Sequence, residues 1–68
     1  MNEENFNMSI RKFLKMAGVR SQTEIERAVA KAIADGKLKG NESFPARMHL
    51  TIDKIGLSVT LDGEIRLE

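Results

Sequence analysis

At 68 residues, with 11 Lys and Arg against 10 Asp and Glu and no cysteine, the chain is too short for two independent cores. It also lacks a disulfide framework and any thiolate for zinc or nucleophilic chemistry. A net charge of +1 singles out neither a nucleic acid nor a membrane surface as partner; the acidic, polar opening MNEENFNMSIRK is no secretory signal, and no apolar run reaches membrane-spanning length, so one cytoplasmic domain is expected.

From Phe6 onward, Phe6, Ile10, Phe13, Leu14 and Ala17 recur at helical spacing behind Glu3 and Glu4, whose charge suits a helix N-terminus. Gly18 reads as a left-handed cap, which predicts a first helix over about residues 3–17. Ser21 and Glu24 have the spacing of a capping box, in which hydroxyl and carboxylate each satisfy an unpaired N–H. A second helix is predicted over about 22–35, with Ile25, Ala28, Val29, Ala32 and Ile33 inward and Gly36 as its stop. The short link between them implies an αα corner that buries Phe13 and Leu14 near Ile25 and Val29.

Residues 36–46, with Gly40, Asn41, Ser43 and Pro45 close together, read as a loop anchored by Leu38 and Phe44. The period then falls to two. Met48, Leu50 and Ile52, then Leu57, Val59 and Leu61, then Ile65 and Leu67 predict strands over about 47–52, 57–61 and 64–68. A four-residue loop at Asp53 to Gly56 sets Ile52 against Leu57, Leu50 against Val59 and Met48 against Leu61. A second hairpin at Asp62-Gly63 needs a bulge with Gly63 left-handed to pair Val59 with Ile65 and Leu57 with Leu67. The expected fold is α+β: two N-terminal helices in an αα corner, packed on a C-terminal three-stranded antiparallel meander, in one domain of residues 1–68. The outer strands, carrying Met48 and Leu50 on one side and Ile65 and Leu67 on the other, are open edges where a second copy or a partner strand can pair.

Candidate chemistry is sparse. His49 is the only histidine; the predicted register places it across from Thr60, which faces Glu64. A triad needs the histidine between hydroxyl and carboxylate, whereas here the hydroxyl is central, so a solvated sheet face accounts for the row. One histidine and scattered carboxylates do not make a metal site. GKLKG at 36–40 lacks the spacing of a phosphate loop and follows a helix, which a helix cap and turn explain. The link MAGVRSQTEIERAV has the look of a helix-turn-helix, but the positions that must be apolar hold Glu24 and Arg27, with Ile25 and Ala28 one step late.

Charge is uneven. Residues 1–40 hold eight Lys and Arg against five Asp and Glu, a balance of +3, and residues 41–68 hold three against five, a balance of −2. Arg11, Lys12, Lys15, Arg20, Arg27 and Lys31 form a candidate nucleic-acid patch, although such a face is commonly plain solvation. Met8, Met16, Ala30 and Ala34 fall outside the core stripes and are candidates for an adaptable contact surface.

The segments FNMSIRKFLKMAGV, SQTEIERAV, GKLKGNESFPA and the closing GEIRLE resemble those of a family of small bacterial proteins of about this length with no assigned function. The resemblance spans nearly the whole chain. It implies a bacterial, cytoplasmic, single-domain protein and brings no activity, cofactor or site residue with it. The expected function is a non-enzymatic interaction or structural module, self-associating as a dimer or binding a protein partner, without cofactor, metal or membrane. Nucleic-acid binding through the basic helical residues is the alternative.

Overall fold

A computed structural model describes residues 1–68. No proline interrupts the first 34 positions, and Ile10, Leu14, Ala17, Ser21, Ile25, Ala28 and Ala32 follow one another at steps of three or four. The mean step is about 3.7 residues, close to one helical turn. This small or apolar stripe crosses Gly18 without a change of phase, and the backbone follows it: one helix, α1, runs from Glu3 to Ala34.

The αα corner and the break between residues 17 and 22 are therefore absent. Gly18 does not take up a positive φ; it lies inside the helix, where glycine costs about 1 kcal/mol relative to alanine. That is too little to stop a helix of 32 residues with good helix formers on either side. Ser21 lies mid-helix and caps nothing, and Glu24 turns instead toward Arg20 and Arg27.

The true caps lie at the ends. Asn2 is the N-cap, its Oδ1 accepting from the Asn5 N–H at 3.0 Å, with Glu3 and Glu4 in the first turn. At the other end Gly36, at φ 79°, sends its N–H to the Ile33 carbonyl at 3.1 Å, and the Lys37 N–H reaches Ala32 at 2.8 Å. This paired closure is the Schellman motif, so Gly36 stops the helix as its sequence position indicates.

The second half is a single long hairpin. Strands β1 (Ser43–Ile52) and β2 (Leu57–Arg66) pair antiparallel around a 3-10 turn at Asp53–Ile55 and Gly56, whose φ of 65° and ψ of 25° are left-handed. Near the turn the register is the expected one, with Ile52 opposite Leu57, Leu50 opposite Val59 and Met48 opposite Leu61. Beyond it the expectation fails. The sheet has two strands, not three; β2 continues through Asp62 and Gly63 and pairs with residues expected in the loop, so that Ala46 faces Gly63, Phe44 faces Ile65 and Ser43 faces Arg66.

The reason is parity. Leu57, Val59, Leu61 and Ile65 all occupy odd positions, so a straight strand keeps them on one face with Gly63 in phase between them. A turn at Asp62-Gly63 breaks that phase and needs a bulge to restore it. The uninterrupted strand needs none, and Gly63 has no positive φ.

The chain thus divides into two compact units, Met1–Lys37 holding α1 and Leu38–Glu68 holding the hairpin. In neither unit is any side chain buried.

Candidate functional site

The hairpin register sorts its side chains by chemistry. Phe44/Ile65, Ala46/Gly63, Met48/Leu61, Leu50/Val59 and Ile52/Leu57 share one face. Ser43/Arg66, Pro45/Glu64, Arg47/Asp62, His49/Thr60 and Thr51/Ser58 share the other. The first face is wholly apolar over about 34 Å of ribbon, yet Met48 stays 45% and Leu61 56% exposed, and Ile52 and Val59 are exposed beside them. On α1, Phe6, Ile10, Phe13, Leu14 and Val19 are likewise exposed. Of the residues marked from sequence as an edge interface, Met48, Leu50 and Ile65 come together on the apolar face. Leu67 lies just past β2, its N–H donating to the Glu42 carbonyl at 2.9 Å.

That last bond fixes the hydrogen-bonding phase of the ribbon. Antiparallel partners alternate between pairs that exchange hydrogen bonds and pairs that do not. Since Glu42 and Leu67 are directly bonded, Phe44/Ile65 and every other apolar pair are of the bonded kind. The polar pairs are of the other kind, and their main-chain N–H and C=O groups point outward. Pro45 belongs to this second set, so its missing N–H costs the hairpin nothing.

On the polar face, Arg47 Nε donates to Asp62 Oδ1 at 3.0 Å across a direct pair. His49 Nε2 lies 2.8 Å from Ser58 Oγ, the donor being set by the ring tautomer. Although Thr60 faces His49 in the register, it is the diagonal Ser58 that the imidazole meets. The predicted Thr60–Glu64 pairing does not form, because both residues lie on β2 and Glu64 faces Pro45. The hydroxyl–histidine–carboxylate row read from the sequence is thus taken apart. Asp62, the carboxylate of the central part of this face, is held by Arg47.

Glu42, not marked from sequence, organises the segment between Gly36 and β1. Its carboxylate accepts from the N–H of Lys39 at 2.9 Å, of Gly40 at 2.9 Å and of Asn41 at 3.2 Å, while Gly40 takes a φ of 109° that favours glycine. The Lys39 amide above all, with that of Gly40, holds this carboxyl below its usual range. Because the folded value is depressed, the carboxylate's contribution is present above the unfolded pKa and lost as pH falls through the folded one. Acid titration is expected to shift the Lys39 and Gly40 amide resonances with a midpoint below the ordinary glutamate range. Glu42→Gln should abolish that titration, and an unchanged profile in the variant would contradict the arrangement.

The six basic residues all lie on α1 but do not form one patch. At about 100° per residue, Arg11, Lys12 and Lys15 centre on one side of the helix, and Arg20, Arg27 and Lys31 centre roughly 130° around it. The second group faces acids: Arg20 and Arg27 lie 3.7 and 3.9 Å from Glu24, and Lys31 lies 3.1 Å from Asp35. These exposed pairs add little stability, but they lower the local positive potential.

No group of three His, Cys, Asp or Glu is placed to hold a metal ion, and no helix is long and apolar enough to cross a membrane. The concavity lined by Glu4, Asn7, Met8 and Arg11 is made by two turns of one helix and encloses nothing.

The whole chain, residues 1–68, matches a family of unknown function (DUF6494), and it belongs to that family. No curated protein and no solved structure matches it.

Proposed function

We propose that the chain is a non-catalytic interaction module that works by self-association, other copies covering the apolar surface of its units. The observation that carries this reading is the sharp segregation of the hairpin's two faces, one wholly apolar and the other polar. A two-stranded ribbon by itself is at best marginally stable in water, and a helix draws most of its stability from packing its apolar face. Both units call for cover.

The magnitudes agree. Covering the large apolar side chains of the ribbon face, each already part-shielded, yields on the order of 1 kcal/mol apiece. Summed over two copies, this matches or exceeds the roughly 4–15 kcal/mol that association costs in lost translation and rotation. The nucleic-acid alternative gains no support from the geometry, which splits its cations between two sides of α1.

Sedimentation equilibrium is expected to show a dimer or higher homo-oligomer at micromolar concentration, with a Tm that climbs as protein concentration is raised. A strict monomer with a concentration-independent Tm would overturn the reading.

A further inference from the structure

The two outer edges of the ribbon are not equivalent, and from this we infer that copies join along β2, antiparallel and with Leu61 on the two-fold axis, in a four-stranded sheet of order β1-β2-β2-β1. The inference rests on the self-association proposed above and specifies its geometry. The hydrogen-bonding phase set by the Leu67–Glu42 bond turns the main-chain groups of Ser58, Thr60, Asp62, Glu64 and Arg66 outward along β2, and those of Ser43, Pro45, Arg47, His49 and Thr51 outward along β1. The β2 row is complete. The β1 row is broken by Pro45, which has no N–H to give, the device by which natural sheets block an edge.

Symmetry then decides the faces. A two-fold axis normal to the sheet runs β2 antiparallel to its copy and leaves both apolar faces on the same side, so the two five-pair rows merge into one broad surface, which a second such sheet covers face to face.

Charge decides the register. The outward residues of β2 occupy even positions, and these must meet one another as hydrogen-bonded pairs. With Leu61 facing itself, Thr60 meets Asp62 of the second copy and Ser58 meets its Glu64, so hydroxyls stand against carboxylates and about eight main-chain hydrogen bonds form. One step toward the C-terminus sets Asp62 against its own copy, a like-charge pair. One step toward the N-terminus, centred on Thr60, leaves Glu64 and Arg66 beyond the ladder, because their partners fall at the left-handed Gly56 and in the turn.

The absence of native cysteine makes the test direct. Self-facing residues in a pair without mutual hydrogen bonds sit about 4.5 Å apart at Cα, within disulfide range. Under mild oxidation Leu61→Cys is expected to form a covalent dimer in high yield, while Met48→Cys on β1 stays reduced. In the unsubstituted chain, hydrogen exchange should show the outward amides of Ser58, Thr60, Asp62 and Glu64 protected in a concentration-dependent way, with those of Arg47 and His49 exchanging freely. A chain that is dimeric but leaves Leu61→Cys reduced and the outward β2 amides unprotected overturns the edge assignment and spares self-association. A chain that is monomeric throughout overturns both.

Discussion

Replacing Leu50 with aspartate is expected to disperse the assembly, weakening self-association at least 100-fold, which is about 2.7 kcal/mol. Leu50 lies mid-ribbon on the apolar face, opposite Val59 and one pair from both Met48/Leu61 and Ile52/Leu57. In an isolated hairpin the change removes one cross-strand apolar contact, worth roughly 0.2–1 kcal/mol. In an assembly that covers this face it also buries a carboxylate with no partner, at a cost of several kcal/mol, unless the chains separate. Thr51→Asp supplies the comparison, since it adds the same charge one residue away on the polar face and should leave association nearly unchanged. Sedimentation of the two variants measures the difference. Equal behaviour of the pair would show that the apolar face is not the covered one.

Substitutions at Gly18 carry the second large effect, and here the sign discriminates. Within a continuous helix, Gly18→Ala should stabilise α1 by about 1 kcal/mol, because a Cβ at this position meets nothing within 4 Å. Were Gly18 the left-handed cap of a corner, the same change would cost roughly 1–2 kcal/mol. Gly18→Pro should destabilise by about 3 kcal/mol or more, since the ring removes a hydrogen bond and strikes the carbonyl four residues back. Thermal unfolding followed by the helical circular dichroism signal reads both variants. A fall in Tm for Gly18→Ala would contradict the single helix.

The same glycine shows where sequence reading reaches its limit. Gly18 and the Ser21–Glu24 pair are valid local signals for a helix end and a helix start, each worth about 1 kcal/mol. They are outweighed by the cooperative gain of continuing a helix whose stripe, from Ile10 to Ala32, never loses phase. Asp62-Gly63 misleads in the same manner: a strong turn dipeptide lies within a strand because Leu61, Gly63 and Ile65 hold parity on either side of it. In both halves the longer-range periodicity was present in the residues and overruled the local punctuation. Gly36 and Gly56 were legible because the pattern does end at them, and both take up a positive φ. The first part of the hairpin register was legible for a related reason: its four-residue loop keeps the two apolar rows on one face.

The candidate surface was only partly visible. Met48, Leu50 and Ile65 are apolar and alternate, which marks them from sequence, but Phe44 and Ala46 belong to the same face and were hidden in a segment rich in turn residues. Ser58 as the partner of His49 could not be read from pairing alone, since the contact is diagonal. Glu42 gave no sequence signal, because its role depends on three successive amides converging on one carboxylate.

The short reach of every pairing bears on how quickly order arises. The helix closes over four-residue steps, and the hairpin zips from a tight turn with no bulge and no crossover, so each unit forms on the microsecond scale of local structure. Nothing within either unit sets a slow clock. If two copies supply the cover, the encounter between chains governs the approach to the stable state, and newly made protein at low abundance would wait on its own concentration.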